Sequence, residues 1–201
     1  MATMFKMKTH RLLTEESVGA NASAYTVSVG LDTIANQDVF SAMLEVSGAD
    51  ATYNVAYEIS PNNKDWVTPS SASNVFSSAS TGYATFVVTG VVTGSTTTTV
   101  SGSHGIDGTT TVRFSGFDQD QEWQNIMHNS VYTVTSGSAD TLTLTLDTSS
   151  LDAYDTTTSG QCIPVAIDYL SFTPVLAPWI RFKATETAGN AGNVTFAVTI
   201  Q

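Results

Sequence analysis

The stretch 177–201 constrains the fold of this chain more than any other. Arg181 and Lys183 alternate with apolar neighbours, and the alternation returns over Val194–Ile200. A two-residue period is that of a β-strand with one buried face, and the Gly- and Asn-rich turn 188–193 joins the two runs. The pattern predicts a β-hairpin whose apolar face needs earlier strands to cover it, because two strands alone bury too little surface.

Further alternating runs lie upstream and are separated by turns rich in Gly, Pro, Asn and Ser. They cover Tyr25–Val29, Val39–Val46, Tyr53–Ile59, Gly82–Thr89 and Val165–Phe172. The runs recur roughly every 8 to 15 residues without a helical period, which is typical of a β-sandwich. We therefore predict an all-β protein, an antiparallel β-sandwich of the Ig-like or jelly-roll-like kind.

The sequence pattern changes at Gly90, where shorter alternating runs rich in Ser and Thr begin. Their apolar positions, among them Val112, Phe114, Leu142 and Leu144, can form a separate core. Insertions are tolerated where the ends of a loop lie close together at the surface. These features predict a small β-barrel inserted into the sandwich, and the alternative is one continuous sandwich of longer topology.

The predicted domain organisation has three parts. Residues 1–20 form an N-terminal arm, residues 21–90 and 162–201 form the sandwich, and residues 91–161 form the inserted barrel.

The charge balance argues against two classes of partner. Charged residues are 12% of the chain, and the formal net charge is −11. Such a molecule repels both nucleic acid and an anionic membrane surface. No segment approaches the length of a membrane span, and the N-terminus lacks an apolar stretch of signal-peptide length. We expect no nucleic-acid partner, no membrane partner and no Sec export.

The basic residues are unevenly placed, with Lys6, Lys8 and Arg11 close together at the N-terminus. A basic arm on an acidic body is suited to docking on an acidic partner protein. A solvated, mobile terminus is the alternative interpretation. We take these three residues as candidate partner contacts.

No pattern in the sequence indicates catalysis or a cofactor. Cys162 is the only cysteine, which excludes an internal disulfide, and its neighbours carry no activating charge. The sequence lacks the nucleophile elbow, the phosphate loop and the dinucleotide fingerprint. Three histidines, His10, His104 and His128, show no ligand spacing. We predict a protein that is not an enzyme and that binds no cofactor.

Acidic residues alternate at Asp118, Asp120 and Glu122, and a second group follows at Asp147, Asp152 and Asp155. A calcium loop of the EF-hand type needs a Gly at its sixth position and a Glu at its twelfth, which this stretch does not supply. Both groups are interpreted as solvated acidic loops, so no metal site is predicted.

The three tryptophans are candidates for stacking on a sugar ring. Trp66 and Trp179 lie inside alternating runs, which favours a place in the core or at a domain interface. Trp123 lies in a polar stretch and is therefore the candidate for an exposed contact, including one with a surface glycan. Asn190, in the last turn, is a further candidate contact with neighbouring molecules, or part of a plain flexible turn.

The inserted segment resembles a small β-barrel module that recurs in proteins of tailed-bacteriophage particles and is known by its likeness to the first catalytic-cysteine half-domain of ubiquitin-activating enzymes. The resemblance covers a His-Gly turn, a strand that ends in Ser-Gly, a Tyr-x-Val strand and a Thr-x-Leu strand before an Asp-Thr-Ser exit. The matching residues are Ser103–Ile106, Asp107-Gly108, Val112–Gly116, Tyr132–Val134, Asp140–Leu144, Asp147–Ser149 and Ala153-Tyr154. The stretch 118–129 departs from the module, which has a shorter turn there. The module is architectural, and no ubiquitin chemistry carries over to this chain.

The outer segments are similar to sandwiches of phage structural proteins in two sequence stretches, Tyr57–Trp66 and Ala177–Thr187. The two resemblances imply a bacteriophage virion protein located at the capsid surface and assembled in the host cytoplasm. The expected role is capsid decoration, with the major capsid protein or other virion proteins as partners and with homo-oligomers. A tail or baseplate component and a carbohydrate-binding module are the alternatives.

Overall fold

The structure, a computed structural model, describes residues 8–31, 40–47, 50–70, 74–117, 121–128, 130–154, 160–175 and 177–200. Nearly all of its regular structure is β, which confirms the predicted fold class. In chain order the strands are β1 (Lys8–Val18), β2 (Ser23–Tyr25), β3 (Val29–Gly30), β4 (Phe40–Ser47), β5 (Thr52–Ser60), β6 (Phe76–Ser80), β7 (Phe86–Val87), β8 (Gly90–Val92), β9 (Thr98–Ser101), β10 (Thr109–Ser115), β11 (Val131–Ser138), β12 (Thr141–Leu144), β13 (Gln161–Phe172), β14 (Trp179–Glu186) and β15 (Gly192–Ile200). A short helix, α1 (Gln121–Met127), lies between β10 and β11. No helix in the described part of the chain is long and apolar enough to cross a membrane.

The chain divides into two compact units. Unit 1 comprises Met1–Val46, Asp50–Ser80 and Ala166–Gln201, and unit 2 comprises Ser47–Ala49 and Thr81–Val165. Unit 2 thus starts earlier and ends later than the insert predicted at 91–161, and β13 contributes residues to both units.

One sheet of unit 1 is built around β14. Its strand order is β2-β14-β5-β6, and β3 also pairs with β14. β14 and β5 are antiparallel along the whole of β14, from Trp179 opposite Ser60 to Glu186 opposite Tyr53. The alternation seen in the sequence sets the two faces of β14, with Phe182 buried and Arg181 partly exposed.

The other strands of unit 1 follow the order β1-β15-β4-β13. Phe196 on β15 is fully buried, and its ring centroid lies 4.7 Å from that of Phe182 on β14. Phe172 at the end of β13 contacts Phe182 from a centroid distance of 6.1 Å. The apolar faces of two antiparallel sheets therefore meet in one aromatic core, which is the arrangement of a β-sandwich.

The predicted terminal β-hairpin is wrong. β14 pairs with β2, β3 and β5, whereas β15 pairs with β1 and lies beside β4. The turn between them carries the chain from one sheet to the other. Alternation fixes which side chains face the core but not which strand is the neighbour, and two strands on opposite sheets bury the same face as a hairpin would.

The N-terminal segment was predicted to be an arm outside the fold, and this is wrong for its described part. Lys8–Val18 forms β1, which pairs with β15 from Lys8 opposite Ile200 to Val18 opposite Gly192. The register shifts twice along this strand, and Glu15 has a φ of 48°. Irregularities of this kind break the two-residue period, which is why alternation did not reveal the strand.

Unit 2 consists of short strands around one apolar core. Its strand path is β13-β10-β11-β12-β9-β8, and β7 pairs with β13. The fully buried side chains of this core are Val100, Val112, Phe114, Phe117, Trp123, Met127, Val134, Leu142 and Cys162.

The predicted barrel of unit 2 is not present as a closed barrel among the described residues. The strand β8 pairs with β9 at one end of the path, and the two-residue strand β7 pairs with β13 at the other. Between these two short strands, the N–H of Val88 donates to the carbonyl oxygen of Gly160 and the N–H of Thr89 to that of Ser101, both at 2.8 Å. The segment thus passes from β13 to β9, and no single strand among those described pairs with both. The core is covered in part by α1, whose Trp123 and Met127 are buried at an i, i+4 spacing.

Candidate functional site

Trp123 does not lie at the surface, where it was predicted to be a candidate contact. Its side chain is 0% exposed, its Nε1 donates a hydrogen bond to the carbonyl oxygen of Asp152 at 3.2 Å, and its ring meets Tyr154 edge-on. The polar residues around Trp123 belong to the outer side of a helix, whose inner side buries the indole. The glycan-stacking hypothesis for Trp123 is therefore wrong.

The basic candidates of the N-terminus are only partly described. Lys6 lies outside the described residues, and of Lys8 only the backbone, in β1, is described. Arg11 lies on β1 opposite Ala197, and its side chain is exposed. As an exposed cation on the first strand of the path β1-β15-β4-β13, Arg11 remains available as a partner contact.

Asn190 lies in the turn between β14 and β15 and is exposed. Its Nδ2 donates a hydrogen bond to the carbonyl oxygen of Asp50 at 2.8 Å. The side chain therefore ties the turn to the segment before β5, so the turn is anchored to the sheet.

The same turn is fixed more firmly by Glu186, the last residue of β14. Its side chain is 1% exposed and accepts hydrogen bonds from the backbone N–H groups of Asn21 at 2.8 Å, Ala188 at 2.7 Å and Gly189 at 3.0 Å. A longer bond of 3.4 Å comes from the N–H of Thr52. One buried carboxylate thus joins three segments that are distant in sequence.

Burial acts to raise the pKa of Glu186, but the four backbone N–H groups outweigh it and lower the pKa to about 2. Burial, followed by the negative charge of Glu186, raises the pKa of the neighbouring Tyr53 to about 12. The carboxylate is therefore ionised across the physiological range, and it acts as a fixed hydrogen-bond acceptor rather than as an acid or a base.

A cation stacked between aromatic rings lies on the outer face of the β14 sheet. The guanidinium carbon of Arg181 is 4.6 Å from the ring centroid of Tyr25 and 4.4 Å from that of Trp66. Arg181 Nε donates to Glu58 Oε2 at 2.6 Å. Trp66 and Trp179 were expected in the core or at an interface, but both are partly exposed, and Trp66 serves to clamp Arg181.

The remaining titratable candidates show no catalytic or metal-binding arrangement in the described residues. His104 is a turn residue, as predicted, and its Nδ1 accepts a hydrogen bond from the N–H of Ile106 at 3.2 Å. Burial raises the pKa of the Cys162 thiol. Hydrogen bonds from the hydroxyl and backbone N–H of Ser149 lower the pKa of Asp147. Among the side chains that are described, no three His, Cys, Asp or Glu residues come together as a metal site. Asp118, Asp120 and Asp155 lie outside the described residues.

A groove with a volume of about 550 Å³ lies on the outer face of the path β1-β15-β4-β13 in unit 1. We call it the sheet groove, and its lining includes Thr9, Ser41, Met43, Tyr169, Ala197 and Thr199. Its hydroxyls are paired, with Thr9 Oγ1 and Thr199 Oγ1 2.8 Å apart and Ser41 Oγ and Ser171 Oγ 3.1 Å apart. All of its lining residues are uncharged.

The sequence did not point to the sheet groove. The strand pattern at Val165–Phe172 predicted β13, but the pattern does not say which strand would lie beside it. The one pattern that could have drawn attention to the groove is that Ile167, Tyr169 and Ser171, at every second position, lie on the outward face of β13. It marks a face that carries two large apolar side chains, although it gives no indication of the small side chains that other strands place next to them.

Comparison with known proteins identifies no family. No protein-family model matches the chain, and no curated protein matches it. Among solved structures, the chain is similar to one from the structure of infectious bursal disease virus, Gx strain, with a TM-score of 0.28 and 8% identity over 97% of this chain and 39% of that one. It is also similar to the PBSX exported protein XepA, with a TM-score of 0.26 and 11% identity over 96% of this chain and 86% of that one.

The chain spans about two fifths of the length of the first of these proteins. Likenesses at such TM-scores carry no argument about the fold or the function of this chain, so its function has to be argued from its own residues.

Proposed function

We propose that this chain is a non-enzymatic structural protein of a bacteriophage particle, in the role of a capsid decoration protein that binds the shell. The observation that carries the proposal is the placement of the residues that resemble the phage module. Val112–Gly116 covers the end of β10, Tyr132–Val134 lies on β11, and Thr141–Leu144 is β12. The motif residues thus follow successive strands of one compact unit in the order expected for the module.

Burial of the motif residues supports the same proposal. Phe114, Val134, Leu142 and Leu144 all lie in the core of unit 2, and the His104 side chain accepts the backbone hydrogen bond that shapes the His-Gly turn. Residues that match the module in order and also share one core support the resemblance more strongly than short sequence matches alone. The reason is that these side chains must pack against one another to form the core.

The partner that we propose is the major capsid protein or another virion protein with an acidic surface. Exposed Arg11 offers a cation at the start of the chain, on a body whose net charge is −11. A contact of this kind speeds association and sets orientation, and it weakens as salt is added. A location at the capsid surface is part of this proposal, and the fold by itself does not require it.

The first experiment is mass spectrometry of purified phage particles after heads and tails have been separated. We expect the chain in the head fraction at a fixed ratio to the major capsid protein. Recovery in the tail fraction alone would replace the decoration role by the tail or baseplate role. Absence from both fractions would overturn the proposal of a virion protein.

The second experiment tests the contact itself, by co-sedimentation of the purified protein with assembled shells. Charge reversal in Arg11→Glu should weaken binding several-fold at low salt, because a cation at the contact becomes an anion. Lys64→Glu is the matched control, since Lys64 is also exposed but lies in the turn after β5. Equal effects of the two variants would show that only net charge matters and that β1 is not the contact.

A further inference from the structure

One of the residues that line the sheet groove has a large and strongly exposed side chain. Tyr169 is 70% exposed, and Ile167, two residues earlier on the same face of β13, is 41% exposed. Single exposed apolar side chains are ordinary in folded proteins, but two on one strand face at the rim of a groove form a patch. This face of unit 1 therefore carries both a projection and a depression.

The charge of the molecule limits where two copies can meet. Each copy carries a formal charge of −11, so two copies repel one another over most of their surfaces. The residues that line the sheet groove are all uncharged. Burial of the groove lining itself removes no ion from water, and the charged side chains that adjoin it on this face, Arg11 opposite Ala197 and Glu45 two residues after Met43, are of opposite sign. Close approach of a second copy therefore costs less here than over the acidic remainder of the surface.

From these two features we infer that the sheet groove is the contact between two copies of this chain, with Tyr169 of each copy inserted into the groove of the other. A two-fold contact requires a surface that is complementary to itself, and a projection next to a depression on one face meets this requirement. Tyrosine is enriched among the residues that contribute most to protein interfaces. A volume of about 550 Å³ accommodates an aromatic side chain with neighbouring atoms.

The hydroxyl pairs of the groove supply polar partners for the inserted tyrosine. In each pair, Thr9 with Thr199 and Ser41 with Ser171, one hydroxyl donates to the other. One hydroxyl hydrogen and several lone pairs of each pair therefore remain for the phenol oxygen of the second copy. The apolar ring would rest on Met43 and Ala197, while its polar end reaches these hydroxyls.

The contact is small, so the dimer should be reversible, with a dissociation constant between about 1 µM and 1 mM. Its dependence on salt separates it from a contact made of ion pairs. Added salt screens the repulsion between the two acidic copies and should strengthen a neutral contact, whereas it would weaken a charged one. The inference does not depend on the virion proposal, which is tested on purified particles, but the two contacts adjoin, because Arg11 lies opposite Ala197 of the groove.

Sedimentation velocity of the full chain over a range of concentrations tests the inference. We expect a shift from monomer to dimer that moves to lower concentration when sodium chloride is added. Tyr169→Ala removes the projection and should weaken dimerisation at least tenfold, and Ala197→Trp fills the depression and should do the same. Val92→Ala shortens an exposed apolar side chain of unit 2 and serves as the control that leaves dimerisation unchanged. Far-UV circular dichroism verifies that each variant is folded.

A mixing experiment distinguishes the proposed geometry from a general loss of apolar surface. The Tyr169→Ala variant keeps an intact groove, and the Ala197→Trp variant keeps an intact Tyr169. A mixture of the two should therefore form heterodimers in which one of the two equivalent insertions is restored, although neither variant dimerises by itself. An unrelated effect of the substitutions would give no recovery on mixing.

Four results would overturn the inference. They are a monomer at all concentrations and salt conditions, a dimer that Tyr169→Ala leaves intact, a dimer that salt dissociates, and a monomeric protein in which a neutral disaccharide such as maltose perturbs the NMR signals of Tyr169. The last result would assign the sheet groove to a ligand instead of a second copy.

Discussion

Unit 1 and unit 2 are both made of antiparallel strands, but their strands pair over very different distances along the chain. In unit 1 the first strand, β1, pairs with the last, β15, and β2 pairs with β14. In unit 2 the strands β10, β11 and β12 pair in the order in which they occur. Because closing a long loop costs more entropy than closing a short one, unit 2 can form much of its core from one continuous stretch, whereas unit 1 requires both ends of the chain.

The two units also differ in charge. Arg113 is the only Lys or Arg within Thr81–Val165, so the basic residues other than Arg113 belong to unit 1. Unit 2 is therefore strongly acidic, while unit 1 combines cations with an uncharged groove. This difference supports the two proposals above, which both place their contacts on unit 1.

The largest expected effect is that of a truncation before Ala177, which removes β14 and β15. Unit 1 should lose its fold, because both of its sheets lose a central strand, while the strands of unit 2 should keep slow amide exchange. Hydrogen exchange followed by mass spectrometry resolves the two segments. Loss of protection in unit 2 as well would show that the units fold as one cooperative structure.

Substitutions in the two cores should come next in size. Trp123→Ala in unit 2 and Phe182→Ala in unit 1 each empty a fully buried site and should lower the free energy of unfolding by about 3–5 kcal/mol. If the units unfold separately, each substitution shifts only one of two calorimetric transitions. A single calorimetric transition whose midpoint temperature both substitutions lower equally would contradict separate unfolding of the two units.

The carboxylate of Glu186 makes the stability of unit 1 depend on pH. Its pKa is about 2 in the folded protein, below the ordinary value of 4.5, so its contribution is complete above pH 4.5 and is lost as the pH falls towards 2. Glu186→Gln should be less stable than the original protein in urea at pH 7. The difference in the free energy of unfolding between the two proteins should shrink at pH 3 and below. The unfolding transition of unit 2 should be the same in both proteins. A difference that stays constant with pH would contradict this role.

The smallest expected effect is at the stacked cation. Arg181→Ala removes a guanidinium held between Tyr25 and Trp66 and should lower the free energy of unfolding by about 1 kcal/mol, because such contacts are weak where water reaches them. The fluorescence of Trp66 should change at the same time. Arg181→Lys, which keeps the charge but loses the planar group, should recover only part of the loss.

Several features of the fold were predictable because they depend on neighbouring residues alone. Alternation placed Phe182 and Phe196 in a core, and the turn residues separated the strands of unit 2. The helix α1 was missed, although Trp123 and Met127 stand at a helical spacing, because the acidic residues before them suggested an exposed loop. The strand β1 was missed because its two register shifts interrupt the period.

The candidate site was less predictable than the fold. Arg11 was expected to be exposed and is, but Trp123 is buried, and the sheet groove is assembled from four strands that no local pattern connects. Its lining includes Ala197 and Ser41, which no pattern in the sequence distinguishes. Their role comes only from the neighbours that they acquire in the sheet.

The order of the residues is enough to show that the chain is β, which side chains of each regular strand face inward, and that the molecule is acidic with few cations. Three features emerge only from the packing of distant segments: β14 and β15 lie in different sheets, Glu186 accepts hydrogen bonds from backbone N–H groups of three segments, and Tyr169 lines a groove of uncharged residues. The reason is physical. Periodicity and charge are properties of residues close together in the chain, whereas strand partners and concave surfaces depend on packing between residues that are far apart in it.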